Sequence, residues 1–256
     1  EASNDALSLA TGEYVALLDH DDILADNALY WVARELQQKP QANLVYSDED
    51  KISDDGMRSC PHFKPAFNID LLLSYNFISH LGVYRREILK QIGGFRVGFE
   101  GSQDHDLALR TVLESSPDQI IHIPRVLYHW RAHSESTASN PDSKDYTTES
   151  GHKAVQHFLD EQHRRGGVRA TARIKAKNRF TCQWHIPEKS PSVELIIPTR
   201  DQAEVLNLAV DSIITKTTYT NYTITVVDNQ SEEVATKNLF KNLKRVHGEK
   251  INIIKY

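Results

Sequence analysis

"VELIIPTRDQAEVLNLAVDSIITKTTYTNYTITVVD", residues 193–228, sets two apolar runs on either side of an amphipathic segment. VELIIP and TITVVD are short, continuous and rich in β-branched side chains, as expected of strands buried inside a parallel sheet. Between them Leu206, Ala209, Val210 and Ile213 keep helical spacing, so the segment is expected to be a helix with those side chains inward. Strand, helix and strand in that order make a βαβ unit. INIIKY, residues 251–256, reads as a third strand. The class is therefore α/β.

Working back toward the N-terminus, PEKSP (187–191) marks a boundary. Ahead of it, HRRGGVRATARIKAKNRF (163–180) holds seven Lys or Arg. Such a run could touch anionic lipid or RNA, but it reads as a solvated connector. A helix precedes it, with Ala154, Val155, Phe158 and Leu159 on its apolar side. Residues 140–192 are thus expected to be a helical and basic connector. A second α/β block lies earlier still. Asn4 and Asp5 are placed to cap a short helix closed by Gly12. YVALL (14–18) reads as a strand buried on both faces, and Asp26 as the cap of a helix carrying Leu29, Val32, Ala33 and Leu36. A strand over Leu44–Tyr46 ends in SDED, and a short helix over 84–92 stops at Gly93 and Gly94. Ser102 is expected to cap a helix bearing Leu107, Leu109 and Val112. IIHI and VLYHWR read as two strands hinged at Pro124.

The 256-residue chain has 39% hydrophobic and 25% charged residues, the balance of an ordinary globular protein. A net charge of -5 argues against nucleic acid as a partner. No apolar run approaches the ~18 residues of a membrane span, and no signal peptide is read. Beginning at Glu1 rather than Met, the chain is expected to be a piece of something longer. Cys60 and Cys182 are too few for a disulfide framework or a zinc site, and read as free thiols in a reducing cytoplasm.

Three places concentrate chemistry. In YVALLDHDDIL (14–24), Asp19, Asp21 and Asp22 follow directly on an apolar run. Like charges this close raise each other's pKa unless a cation stands between them. Asp19 and Asp21, one residue apart at the carboxyl end of a strand, suit Mg²⁺ or Mn²⁺, whereas Asp22 suits a helix start. In GFEGSQDHDLALR, Asp104 and Asp106 fall in the first turn of a helix, with Asp104 the better placed as a general base. In YHWRAHSES, His129 and His133 could complete a metal shell, and Arg131 could hold a diphosphate.

Taken together, LSLATGEYVALLDHDD, YSDEDK, GVYRREILKQIGGFRVGFEGSQDHDLALR and LYHWRAHSEST resemble the family 2 glycosyltransferases of the GT-A fold, a Rossmann-like mixed or parallel sheet flanked by helices. The order and spacing are similar to those of bacterial enzymes that build O-antigen and other surface polysaccharides. The resemblance covers residues 1–139. It implies that Asp19 and Asp21 form the metal and diphosphate motif, with Asp21 the direct ligand, that Asp104 is the catalytic base, with Gln103 beside it facing the sugar where many members carry Glu, and that a histidine of the closing motif, His133 or else His129, approaches the metal. Asp48, Glu49 and His80 would face the acceptor or donor sugar, with a solvated acidic loop the alternative for Glu49 and Asp50.

The resemblance resumes at Val193. Pro198, Thr199 and Arg200 match the loop that receives the nucleotide, and Asp228 matches the carboxylate that reads the base. Asn229 and Gln230 depart from the commoner Asp-Gly. Residues 1–139 are then the metal and acceptor half of one GT-A domain, and 193–256 the nucleotide-binding beginning of a second. Two incomplete α/β blocks result, which implies a piece of a tandem enzyme; halves that complement each other as a permuted domain are the alternative.

The implied activity is inverting transfer of a sugar from a nucleotide sugar (UDP- or dTDP-linked) to a saccharide or lipid-linked saccharide acceptor, with Mn²⁺ or Mg²⁺ as cofactor. The implied place is the cytoplasm, with peripheral contact at the inner face of the cell membrane left open. Two other readings compete: a non-catalytic binding module of a larger glycosyltransferase, and a sugar nucleotidyltransferase. PTRDQ lacks the Gly-rich basic loop that the nucleotidyltransferase needs.

Overall fold

The computed structural model describes residues 2–131, 145–186 and 188–256. These divide into two compact units, residues 1–185 and 186–256.

The first unit opens with helix α1 (Ala2–Leu9), followed by strands β1 (Tyr14–Ala16) and β2 (Ile23–Leu24) and helix α2 (Ala28–Gln38). Next come β3 (Leu44–Ile52), β4 (Arg58–His62), α3 (Ile69–Ser74), β5 (Gly82–Arg85), α4 (Arg86–Gln91), α5 (Gln103–Leu113) and β6 (Ile120–Arg131). The sheet runs β1-β5-β3-β6-β2, with β4 also on β3. Only the β3–β6 pairing is parallel; β1–β5, β5–β3, β6–β2 and β3–β4 are antiparallel. The α/β class and the mixed sheet agree with expectation.

Several local expectations are corrected. Residues 14–18 do not form a strand buried on both faces. β1 is a three-residue, half-buried edge strand, and Leu18 beyond it is 51% exposed, because the parallel centre is β3–β6. α2 starts after Asn27, not Asp26, and turns Ala28 and Val32 inward while Leu29 is exposed. IIHI and VLYHWR are one twelve-residue strand. Pro124 cannot donate to the ladder, so the chain bulges: Ser47 faces Ile123 but Asp48 faces Val126. A second shift sets Glu49 opposite Tyr128.

The largest departure is at SDED. β3 does not stop before it but runs through it, and Asp48, Glu49 and Asp50 are all buried. Charges in such a place need partners. Asp48 Oδ1 accepts from Lys64 N (2.9 Å) and pairs with His122 Nε2 (2.8 Å). Glu49 meets Lys64 Nζ at 3.1 Å and His62 Nδ1 at 3.3 Å. Asp50 pairs with Arg58 Nε at 2.6 Å and with His129 Nδ1.

The stretch expected to be a connector is, from residue 145, part of the first unit. Helix α6 (Asp145–Arg164) buries Ala154, Val155, Phe158 and Leu159, as its spacing predicts. The basic run forms a hairpin of β7 (Ala170–Ala176) and β8 (Arg179–Trp184), whose Ala170, Ala172 and Phe180 join the same core as Leu107 and Leu109 of α5. Gly151 permits this approach, since a Cβ there would lie 2.7 Å from the Phe180 ring.

The second unit is β9 (Val193–Thr199), α7 (Ala203–Lys216), β10 (Tyr222–Asp228), α8 (Val234–His247) and β11 (Ile251–Lys255). Its sheet is wholly parallel, in the order β11-β10-β9. Leu206 and Val210 of α7 and Phe240 and Leu243 of α8 pack on Ile224, Val226 and Ile251. Right-handed crossovers in one direction put both helices on one face; the other shows Ile196 at 66% and Ile254 at 51% exposure. Among the described residues, no helix is long and apolar enough to cross a membrane.

Candidate active site

The turn after β1 carries Asp19, His20, Asp21 and Asp22, and β6 runs beneath it. Tyr128 accepts a hydrogen bond from Asp19 N (3.2 Å) and donates from its hydroxyl to Asp22 Oδ2. Arg131 donates from its backbone N to Asp22 Oδ1 and from Nε to the Asp21 carbonyl, each at 2.8 Å. The His80 ring stacks on Tyr128, centroids 4.6 Å apart, and brings Nε2 to 3.9 Å from Asp19 Oδ2.

Asp19, Asp22 and His80 therefore present ligand atoms within 4.8 Å of one another. The set differs from the expected one. Asp21 is outside it, its carboxylate 3.8 Å from the exposed His20 ring. His129 also stands apart: strand alternation turns it away from Tyr128 and into the buried Asp50 pair. His133 lies outside the described residues. Two carboxylates and an imidazole are donors that Mg²⁺ or Mn²⁺ accepts, so the residues present fit such an ion. Desolvation raises the Asp19 carboxyl above its ordinary value; His80 opposes this, while Asp22, Asp21 and Asp104 add to it. Burial, reinforced by the bond to Asp22, likewise drives the Tyr128 hydroxyl upward, so it stays a donor.

Asp104 sits in the first turn of α5, partly buried, with exposed Gln103 beside it. Asn76 Nδ2 donates to its Oδ2 at 2.8 Å. Asp106, in the same turn, is 1% exposed and held by Arg96 Nε (3.1 Å) and Arg110 Nε (2.8 Å), a structural pair of cations. Arg110 also donates to the carbonyls of Ile92 (2.8 Å) and Gly94 (2.6 Å), so α5 is pinned to the glycine turn after α4. Ser102 precedes the helix without capping it; its hydroxyl donates to Thr147 O instead.

Asp48 and Glu49, expected to face a sugar, are buried and already paired within the sheet instead. Their chief partner is Lys64, whose side chain is fully buried. Its Nζ donates to Glu49, to Ile78 O at 2.7 Å and to His80 O. Glu49 Oε2 accepts His80 N at 3.0 Å. The residues missed in the sequence are thus Asp22, Tyr128, Lys64 and Asn76. Period-two alternation along LYHWR separates Tyr128 from His129 and could have found the tyrosine; no local pattern marks Lys64.

In the second unit, Thr199 and Asp228 end adjacent strands in register. Asp228 is buried, and Ser231 holds its carboxyl below the ordinary value by hydrogen bonding, with Lys255 and Lys237 adding positive charge. Asp201, also unforeseen, joins the two loops. Its N donates to Ser231 Oγ (2.8 Å), and its Oδ1 accepts from Glu232 N (2.9 Å) and Glu233 N (2.8 Å). A cavity of about 630 Å³ beside Asp228 is lined by Gln230, Lys237, Lys241 and Lys255 among others. Pro198 and Arg200 flank Thr199 at the strand end, outside that lining.

Comparison with known proteins bears on these clusters. The whole chain is similar to an uncharacterized protein, y4gI, of Sinorhizobium fredii: 41% identity over 253 residues, 95% of this chain and 26% of that protein. It is 35% identical over 235 residues to the O-antigen biosynthesis protein RfbC of Myxococcus xanthus, covering 92% of this chain and 18% of that one. The chain thus spans only a small part of the length of these relatives. A crystal structure of S. aureus TarS matches 62% of this chain and 30% of that one at 16% identity, with a TM-score of 0.41. The family model Glycosyl transferase family 2 matches residues 1–93, the segment that contains the Asp19–Asp22 turn, the SDED strand and His80. Over that segment the chain is similar to glycosyl transferase family 2.

Proposed function

We propose that the first unit is the metal and acceptor half of an inverting glycosyltransferase, expected over residues 1–139 and extended to 185 by α6 and the β7–β8 hairpin. The second unit is the nucleotide-binding beginning of another domain of the same kind. The donor is a nucleotide sugar, UDP- or dTDP-linked. The acceptor is a saccharide or lipid-linked saccharide at the inner face of the membrane, in bacterial surface polysaccharide synthesis. The observation that carries this reading is the grouping of Asp19, Asp22 and His80, whose ligand atoms lie within 4.8 Å of one another in the segment that matches the family model.

Asp104 acts as general base, taking the proton of the attacking hydroxyl. Asp19, Asp22 and His80 would hold the divalent ion, with Asp21 and Arg131 in and beneath the same turn. The ion, when bound, offsets negative charge growing on the departing diphosphate. Thr199, Arg200 and Asp228 would serve a nucleotide in the second unit.

Calorimetric titration with UDP and dTDP, with Mn²⁺ or with EDTA, tests the donor site, alongside Asp19→Ala and Asp104→Asn. Binding should need Mn²⁺ and Asp19. Asp104→Asn should keep donor binding and lose turnover by about 10²–10⁴-fold. If the full-length protein binds no nucleotide and transfers no sugar, this reading ends.

A further inference from the structure

Asn76 belongs to none of the motifs above, yet its amide meets two groups at once. Nδ2 donates to Asp104 Oδ2 at 2.8 Å, and Oδ1 accepts Ser79 N at 3.2 Å. Together these contacts fix the amide's orientation, because a flip would set oxygen against carboxylate and NH₂ against N–H. Ser79 has φ 38, in the left-handed region that an L-residue enters at a cost, and its bond to Asn76 helps hold it there. The next residue is His80. Lys64 Nζ grips the carbonyls on either side of Ser79, those of Ile78 and His80. The loop from 76 to 80 is therefore held at several points, and Asn76 is where it reaches Asp104. Among the described residues Asp104 Oδ1 has no hydrogen-bond partner, so one carboxylate oxygen is committed and the other is open.

We propose that Asn76 is a positioning residue of the transfer reaction. It occupies Oδ2 of Asp104, leaves Oδ1 to receive the acceptor proton, and ties the base to the loop that carries His80. This rests on Asp104 being the base. The acceptor hydroxyl gives its proton to Asp104 Oδ1 as its oxygen bonds to the anomeric carbon. The bond from that carbon to the diphosphate oxygen breaks, its electron pair leaving with the diphosphate.

Steady-state transfer by the full-length protein tests the role, with Asn76→Asp, Asn76→Ala, Asp104→Asn and the doubles. Asn76→Asp keeps an oxygen for Ser79 N but turns the donor facing Asp104 into an acceptor. It should lower kcat about 10- to 100-fold, with the donor KM and the unfolding midpoint unchanged. Asn76→Asp in the Asp104→Asn background should cost nothing further, since residues acting through one another are not additive. Asn76→Ala should lose kcat in the same way; if it fails to fold, the aspartate cycle decides alone. Wild-type kcat in Asn76→Asp, or full additivity of the two changes, would overturn the proposal while leaving Asp104 as base. Wild-type turnover in Asp104→Asn would remove the base assignment, and this role with it.

Discussion

Two acidic runs, DHDD at 19–22 and SDED at 47–50, look alike in the sequence and meet opposite fates. SDED lies in a central strand, and its neighbours bring cations or imidazoles to every carboxylate: His122 and His129 from β6, Arg58 and His62 from β4, and Lys64 beyond it. DHDD lies in a turn whose carboxylates act on one another, and desolvation with the charges of Asp22, Asp21 and Asp104 pushes Asp19 upward. One run is buried against cations and imidazoles at hydrogen-bond distance; in the other, more exposed run the imidazoles of His80 and His20 stand 3.9 and 3.8 Å from Asp19 and Asp21. The difference is set by what the adjacent strands carry, not by the acidic residues themselves.

The largest effect expected from breaking this contrast comes from Lys64→Met. It leaves Glu49 buried without its lysine and should cost about 3–5 kcal/mol in urea unfolding. A loss below 1 kcal/mol would mean that SDED is as solvated as DHDD. Next is His105, whose Nε2 lies 2.8 Å from Leu72 O and whose imidazole burial holds below its ordinary value of 6.5. The unfolded chain then binds the proton first as pH falls. The stability from keeping His105 neutral is present above 6.5 and lost below it, at up to about 1.4 kcal/mol per pH unit. Urea midpoints of the wild type and His105→Gln at neutral and mildly acidic pH should converge as pH falls. Ser231→Ala in the second unit should cost about 1 kcal/mol and return the Asp228 titration toward 3.8, read by carboxyl NMR. No movement of Asp228 would show that the Ser231 backbone N–H, 2.9 Å from Oδ1, and the lysines Lys255 and Lys237 set its value.

Asp19→Asn should have the smallest effect on stability and the opposite sign. A raised carboxyl costs the folded state stability once pH climbs above 3.8, so the variant should gain slightly at neutral pH and nothing below that value. Mn²⁺ should raise the thermal midpoint of the wild type but not of the variant. A variant less stable at neutral pH would place Asp19 with the neutralised carboxylates and dissolve the contrast.

Much of the architecture was legible. The βαβ unit at 193–228 and the inward side of α6 follow from apolar period alone, since one face of each element meets a core. Edges were not. YVALL has the composition of a central strand, and only its pairing with β5 alone makes it an edge. The SDED strand was hidden because burial of its carboxylates depends on Lys64 and Arg58, more than one strand away in sequence. Asp19 was singled out as a metal ligand and His80 as a sugar contact, and the fold sets the two 3.9 Å apart. Asp22 was set aside as a helix start, whereas Tyr128 and Arg131 reach it from across the sheet.

The bulges in β6 make residue count, more than residue identity, the determinant of what faces the cleft. Ser47 opposes Ile123, so an unbroken ladder would set Asp50 against Val126; three extra residues put His129 there instead. Losing a single residue between 124 and 127 would send each later side chain to the opposite face, exchanging Tyr128's place under the acidic turn for His129's place against Asp50. This strand should therefore tolerate many substitutions and almost no deletions. Among relatives, its length is the trait to compare before its letters.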